Sequence, residues 1–275
     1  MKIIDCIKES TNVLTSAGID NPQLDAEILI EHICGLERYK IKAYPNNEIT
    51  ASQYSKINKA IERRKSHEPV AYIIGEKEFY SICLEIDKRV LVPRPETELL
   101  VDLAIYYAPM NGKVLDLCTG SGAVAIAIKH SRGDVSVTAT DISTEALSVA
   151  KKNAKNILGD KKITFYAGDL FVPVTNKKYD CIVSNPPYIN PDEKDSLPQT
   201  LAFEPPIALF ADNKGKAIIQ KIITQVKNYL NTDGVVIIEI GESMENFVKK
   251  EGAKAGFSVS VMNDYGGLPR VAILK

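Results

Sequence analysis

From Ile3 to about His67, hydrophobic and polar positions follow each other with the spacing of amphipathic helices. Three sets of apolar residues each fall on one helical face: Ile3, Ile7, Leu14 and Ala17; Leu29, Ile30 and Ile33; and Tyr54, Ile57 and Ile61. Turn-forming residues separate the sets, and Asp20 or Asn21 and Thr50 or Ser52 are candidate helix caps. The pattern predicts a small helical module.

The pattern changes after residue 70. Apolar and aromatic residues make up Ala71–Gly75, and in Glu78–Ile86 they alternate with polar ones. Such alternation is typical of strands, so we predict a strand pair that forms a β-hairpin linker within residues 71–92.

Strand-like and helix-like segments alternate in the remaining chain. The predicted strands are 113–118, 135–140, 163–167, 179–184, 235–240 and 257–262, with helices between them. This order indicates a mostly parallel sheet covered by helices on both faces. A last segment, 270–274, is expected to return beside 257–262 as an antiparallel edge. We therefore predict an α/β domain at 93–275, after a helical domain at 1–70 and the linker.

Composition narrows the class of protein. The 275 residues carry a formal net charge of -1, so no overall basic field favours nucleic acid. The five cysteines are scattered and never form a Cys-x-x-Cys pair, which argues against a disulfide framework and against a zinc site. No apolar run approaches the roughly 18 residues of a membrane helix. We expect a cytoplasmic protein with no membrane partner and no metal.

The tetrapeptide Asn185-Pro186-Pro187-Tyr188 follows the apolar segment 179–184. The carboxyl end of a parallel strand is where α/β sheets bind ligands, and proline leaves its carbonyl free because it cannot extend the ladder. An amide oxygen from Asn185, the Pro186 carbonyl and the Tyr188 ring together form a receptor for a planar NH2 group. The plain alternative is a strand followed by a stiff turn.

Polar residues also follow three earlier strands. The loop Asp116–Gly122 is rich in small residues, which permits close approach of a ligand to the backbone. Asp141 can accept hydrogen bonds from a ribose, or can cap the next helix. Asp169 can accept from an adenine amino group while Leu170 packs on the ring, although a turn residue is the simpler reading of Asp169 alone.

These motifs resemble the PrmC/HemK family, the protein-(glutamine-N(5)) methyltransferases that modify peptide chain release factors. The resemblance extends over essentially the whole chain. The segments that carry it are His67–Gly75, Leu91–Glu98, the loop at Asp116, Ser184–Ile189 and Phe203–Pro205.

The resemblance implies an enzyme with a Rossmann-like S-adenosylmethionine-dependent methyltransferase domain of seven strands, the last antiparallel. It implies that the helical domain helps to hold a release factor, and that the glutamine of the Gly-Gly-Gln motif is methylated, which tunes translation termination. The cofactor is S-adenosylmethionine and the product S-adenosylhomocysteine. We expect a monomer, with nucleic acid not a substrate.

The resemblance also assigns site residues. Its cofactor-binding residues are Cys118, Thr119, Gly120, Ser121, Gly122, Asp141, Asp169, Leu170 and Asn185. Asn185, Pro186, Pro187 and Tyr188 bind the glutamine amide, and of these Asn185, Pro186 and Tyr188 are catalytic. The family usually has glycine where this chain has Cys118, a change that costs little if φ is negative there.

Two other functions remain open from the sequence. An adenine N(6)-methyltransferase acting on DNA or RNA would use the same receptor for an amino group, but it needs a basic groove that the lysine pairs at 151–152 and 161–162 do not clearly supply. A non-catalytic binding module is disfavoured by the intact Asn185–Tyr188 motif. Two roles remain open for Arg94 and Glu98: they face the methionine end of the cofactor or, as the favoured prediction, they form a surface ion pair.

Overall fold

The computed structural model describes all residues, Met1–Lys275, in two compact units. One unit contains Met1–Glu76 together with Pro198–Phe203, and the other contains Lys77–Leu197 and Glu204–Lys275. No helix combines the length and the apolar character that a membrane crossing requires.

The helices are α1 (Ile3–Ser16), α2 (Pro22–Cys34), α3 (Arg38–Ala43), α4 (Ala51–Lys65), α5 (Val70–Ile74), α6 (Glu98–Tyr107), α7 (Ala123–Ser131), α8 (Thr144–Leu158), α9 (Pro206–Leu209), α10 (Ala217–Gln225) and α11 (Glu245–Lys254). The strands are β1 (Glu76–Phe79), β2 (Ile82–Glu85), β3 (Lys113–Leu117), β4 (Ser136–Asp141), β5 (Ile163–Ala167), β6 (Tyr179–Ser184), β7 (Leu230–Glu239), β8 (Val259–Asn263) and β9 (Pro269–Leu274).

The smaller unit is helical and has its own apolar core. The predicted faces of α1, α2 and α4 supply that core, with Leu14, Leu29 and Ile57 fully buried. Thr50 begins α4 with a capping box, in which its hydroxyl accepts from the Gln53 backbone N–H and the Gln53 side chain accepts from the Thr50 backbone N–H. This satisfies two backbone donors that a helix start otherwise leaves unpaired.

The predicted strand at 71–75 is wrong, because this segment forms α5. Val70, Ile73 and Ile74 are spaced as one helical face, and all three pack against the helical core. Gly75 then ends the helix in the left-handed conformation, at φ 83°. The hairpin lies later, between β1 and β2.

The larger unit is built on a seven-stranded sheet with the order β5-β4-β3-β6-β7-β9-β8. β3 pairs in parallel with β4 on one side and with β6 on the other. The α/β class and the mostly parallel sheet predicted from the sequence are confirmed. Chain order reverses between β3 and β6, and α/β folds bind ligands at the strand carboxyl ends near such a reversal.

The expectation that residues 270–274 form the edge of the sheet is wrong. β9 lies between β7 and β8 and is antiparallel to both, so β8 is the edge strand. The difference follows from polarity, because the last four residues of β9, Val271–Leu274, are all buried, whereas β8 is half exposed along its length. A strand with apolar residues on both faces belongs inside a sheet.

Asn153 on α8 joins the hairpin to the loop that follows β3. Its side-chain oxygen accepts from the Glu85 backbone N–H at 2.8 Å, and its side-chain nitrogen donates to the Glu85 and Ser121 carbonyls at 3.1 Å each. Asn153 is 1% exposed, so water cannot replace these bonds.

Asn153→Ala should therefore lower the free energy of unfolding by about 2–4 kcal/mol, because it leaves buried backbone groups unpaired. Asn156→Ala is the matched control, since Asn156 lies on the same helix and donates to the exposed Glu85 carboxylate at 2.8 Å. The control should lose less than about 1 kcal/mol. Urea unfolding measures both values, and equal losses in the two variants would contradict the structural role of Asn153.

Candidate active site

The carboxyl ends of the central strands meet at one edge of the sheet. Leu117, the last residue of β3, lies opposite Thr140 of β4 and Ser184 of β6. The residues that follow these positions, Cys118, Asp141 and Asn185, therefore come together although they are far apart in sequence.

A pocket opens at this edge within the larger unit. The predicted site residues on its wall are Cys118, Thr119, Gly120, Ser121, Asp141, Asp169, Leu170, Asn185 and Pro187. Gly122, Pro186 and Tyr188 do not line it. Apolar side chains from a later part of the chain, among them Ile207 and Phe210, also contribute to the wall.

The loop after β3 depends on a buried carboxylate and on a glycine. The Thr119 hydroxyl donates to the Asp116 carboxylate at 2.6 Å, and the Thr119 backbone N–H donates to the Thr140 carbonyl at 3.0 Å. Gly122 has φ 82°, and a Cβ there would lie 3.0 Å from the Ile126 side chain and 3.1 Å from Ala150. Gly122 thus serves helix packing behind the pocket wall.

Cys118 has φ +57°, in the left-handed region, so the favourable case of a negative φ does not apply. A non-glycine residue there costs roughly 1–2 kcal/mol. The left-handed conformation explains why glycine suits this position, and in this chain the loop tolerates the strain of a cysteine.

Asp141 organises the backbone on two sides of the pocket. Its two carboxylate oxygens accept from the Gly120 backbone N–H at 2.8 Å and the Ser143 backbone N–H at 2.9 Å. It does not cap α8, because that role belongs to Ser143, whose hydroxyl accepts from the Ala146 N–H. Burial raises the pKa of Asp141, and the backbone donors offset part of that rise.

Asp169 and Leu170 follow β5 at the wall of the same pocket. Asp169 is partly exposed and pairs with Lys221 at 2.6 Å. Leu170 is buried at φ 46°, and its carbonyl accepts from the Thr140 hydroxyl at 3.1 Å. The Leu170 side chain is therefore fixed, whereas the Asp169 carboxylate already has a cationic partner.

The Asn185–Tyr188 motif is held by a buried hydrogen-bond network. The Asn185 side-chain nitrogen donates to the Thr97 hydroxyl at 3.1 Å, and the Thr97 hydroxyl donates to the Glu239 carboxylate at 2.7 Å. The Tyr188 hydroxyl donates to the other Glu239 oxygen at 3.0 Å. Burial raises the pKa of Glu239, and the bonds from Thr97 and Tyr188 and the nearby Arg270 guanidinium oppose that rise.

The backbone of the motif is fixed as well. The Ile189 N–H donates to the Leu209 carbonyl at 2.9 Å. Gly215, at φ 78°, lies so near that a Cβ there would be 2.1 Å from the Tyr188 carbonyl oxygen. Only glycine fits this position, so the Tyr188 carbonyl packs directly against the segment that precedes α10.

The expected surface pair between Arg94 and Glu98 is wrong. Arg94 forms an ion pair with Glu204, which is 3% exposed and also accepts from the Val92 backbone N–H at 3.0 Å. Glu98 instead accepts from the Tyr80 backbone N–H at 2.8 Å. The segment before α6 is thereby attached to the segment that follows the Asn185–Tyr188 motif.

Sequence reasoning did not assign roles to Thr97, Glu204 and Glu239. The sequence does contain a signal for Glu239, because it stands alone among the apolar residues 235–240 of a buried strand. An acidic residue in such a run needs partners, which marks a structural or functional network. Thr97 and Glu204 carry no such signal, since their partners lie more than 80 residues away.

Comparison with known proteins identifies the class of protein as a methyltransferase. A solved structure of ribosomal protein L11 methylase from Lactobacillus delbrueckii subsp. bulgaricus is 26% identical to this chain in sequence and superposes with a TM-score of 0.52. The match covers 69% of this chain and 83% of the methylase chain. The methyltransferase small domain family matches residues 95–209.

More specific matches extend over the whole chain. The PrmC N-terminal domain family matches residues 5–75. Release factor glutamine methyltransferase from Buchnera aphidicola subsp. Acyrthosiphon pisum (strain APS) is 37% identical, over 100% of this chain and 99% of the relative. The protein of the same name from Escherichia coli (strain K12) is 36% identical, over 92% of each. The chain belongs to the release factor glutamine methyltransferase family.

Asp116 supplies a pH-dependent prediction, because burial raises its pKa from 3.8 to about 7. Near pH 4 the carboxyl is largely protonated in the folded protein, whereas above about pH 7 the folded protein must hold the buried charge. The contribution of Asp116 to the free energy of unfolding therefore falls as pH rises from about 4 to 7. Asp116→Asn should remove this fall, so that its stability relative to the wild type increases with pH across that window.

Urea unfolding at several pH values measures the difference. Asp134→Asn is the control of opposite sign, because Arg132 lowers the pKa of the exposed Asp134. That variant should lose rather than gain relative stability as pH rises through the acidic range. A difference between Asp116→Asn and wild type that stays constant with pH would show that Asp116 is not a buried titrating group.

Proposed function

We propose that this protein transfers a methyl group from S-adenosylmethionine to the side-chain amide nitrogen of the glutamine in the Gly-Gly-Gln motif of a peptide chain release factor. The observation that carries the proposal is the receptor at Asn185. Its amide nitrogen is engaged by Thr97 at 3.1 Å, so its oxygen remains available to accept. Membership of the release factor glutamine methyltransferase family supports a release factor as the methyl acceptor.

The chemistry of the pocket fits the cofactor. S-adenosylmethionine carries a sulfonium and an ammonium group, and the acidic residues Asp116 and Asp141 are among those that line the pocket. A bound cation would favour the ionised form of both groups against the cost of burial. Asp141 retains acceptor capacity for ribose hydroxyls, and Leu170 offers a fixed apolar surface to an adenine ring.

The acceptor side follows from the Asn185–Tyr188 motif. Asn185 Oδ1 and the Pro186 carbonyl accept the two N–H bonds of the glutamine amide, which increases electron density on the nitrogen and directs it. Tyr188, whose hydroxyl is bound to Glu239, places its ring against the amide and excludes water. An amide nitrogen is a poor nucleophile, so alignment is the main contribution these residues make.

When bound, the sulfonium supplies an electrophilic methyl group. Transfer of that methyl group to the glutamine nitrogen would leave the thioether S-adenosylhomocysteine as the product. The acceptors at Asn185 and Pro186 stabilise the positive charge that develops on nitrogen. The nitrogen then loses one proton to water.

The remaining assignments belong to the same proposal. The helical unit helps to hold the release factor, and the protein acts as a monomer. A release factor as acceptor places the reaction in the cytoplasm, with translation termination as the process affected.

Purified protein, radiolabelled S-adenosylmethionine and an unmodified release factor test the function directly. We expect label on the wild-type factor and none on its Gln→Ala variant in the Gly-Gly-Gln motif. Duplex DNA and RNA are included as competing acceptors. Label on nucleic acid alone would reject the glutamine assignment in favour of an adenine methyltransferase.

Asn185→Ala should reduce kcat by at least about 100-fold while the protein stays folded, the scale of losing one group that stabilises a transition state. Circular dichroism and thermal unfolding check the fold. Asn156→Ala, an exposed residue of α8 away from the pocket, is the control and should retain wild-type turnover. Near-normal turnover in Asn185→Ala would remove Asn185 from the mechanism.

A further inference from the structure

The Asn185 amide has two chemically different ends, and the proposed reaction needs one of them in the pocket. The oxygen can accept from a glutamine N–H, whereas the NH2 end would present a donor to another donor. An asparagine alone has no preference between the two orientations, because they differ by a half-turn of the terminal group. A neighbouring group must therefore select the orientation in which the Asn185 oxygen faces the pocket.

Thr97 contacts the NH2 end, and its hydroxyl has a single proton. The hydroxyl donates that proton to the Glu239 carboxylate, at an oxygen–oxygen distance of 2.7 Å. The Thr97 oxygen can then only accept from Asn185, which it does at 3.1 Å. If Asn185 were reversed, its oxygen would face an oxygen with no proton to offer.

Glu239 determines the direction in which these hydrogen bonds donate. It is 2% exposed, and its two oxygens accept from Thr97 and from Tyr188. The charged groups that face it are Arg270, which opposes the rise in its pKa, and Glu96, which adds to it. A carboxylate with two hydroxyl donors requires both hydroxyls to point toward it.

We propose that Thr97 and Glu239 are positioning residues that hold the Asn185 oxygen toward the acceptor amide and, through Tyr188, fix the other end of the same motif. This inference rests on the proposed methyl transfer for its kinetic consequence. The orientation of the Asn185 amide is a property of the protein alone, so it can be measured without an acceptor.

The test compares Thr97→Val, which removes the hydroxyl at nearly constant volume, with Thr97→Ser, which keeps it. Thr97→Val should lower kcat roughly 10- to 100-fold while the Kd for S-adenosylhomocysteine changes less than about 3-fold. Thr97→Ser should recover kcat to within about 3-fold of wild type. Thr138→Val is the control, because Thr138 lies on β4 and does not line the pocket.

Glu239→Gln tests the direction of the bonds. The substitution replaces one carboxylate oxygen of Glu239 with an NH2 group, which donates. Either the Thr97 or the Tyr188 hydroxyl must then accept a hydrogen bond instead of donating one. We expect kcat to fall in this variant, and the double variant with Thr97→Val to lose less than the product of the two single effects, since both act through one network.

The acceptor-independent measurement is hydrogen exchange of the Asn185 side-chain amide in protein labelled with ¹⁵N-asparagine, with Asn185→Ala to assign the signal. Exchange should be slow in wild type and Thr97→Ser, and at least about 10-fold faster in Thr97→Val. Unchanged exchange and unchanged kcat in Thr97→Val would overturn the inference, as would equal loss of kcat in the Val and Ser variants. Slow exchange in a wild-type protein that methylates no release factor would reject the proposed function and leave the positioning role in place.

Discussion

The parallel pairing of β3 with both β4 and β6 determines where the chemistry of this molecule lies. Leu117 has a partner on each side, in Thr140 and Ser184, so three chain segments turn away from the sheet at the same level. A side-chain bond between the last residues of β6 and β3 supports this register, because the Ser184 hydroxyl donates to the Leu117 carbonyl at 2.9 Å. A slip of one residue would move each side chain by about 3.3 Å and reverse the face on which it lies.

Buried carboxylates are the second constraint, because each would be unfavourable without partners. Asp116 is satisfied locally by Thr119, three residues away. Glu204 and Glu239 are satisfied only by groups more than 50 residues distant, so their partners are present only when the larger unit is folded. The proposed receptor for the amide is therefore a product of tertiary structure, whereas much of the proposed cofactor side is formed by a single strand, loop and helix.

This division explains what could be predicted from the sequence. The strands at 163–167 and 179–184 match the structure residue for residue. Each is a short segment rich in β-branched and aromatic residues, with turn-forming residues beside it. The segment 71–75 was mistaken for a strand since five apolar residues satisfy both a strand and a helix pattern. The network around Glu239 could not be predicted, because no local pattern specifies which distant hydroxyl will face a buried carboxylate.

The position of β9 shows how fold and site depend on each other. As an edge strand beside β8 alone, β9 would not have been next to β7. Inserted between β7 and β8, it places Val271 opposite Glu239 and brings Arg270 close to the carboxylate. The guanidinium opposes the effect of burial and favours the ionised form, which is the form that accepts from both Thr97 and Tyr188. The one antiparallel strand of the sheet thus supplies a positive charge that stabilises the buried Glu239 carboxylate of the proposed amide receptor.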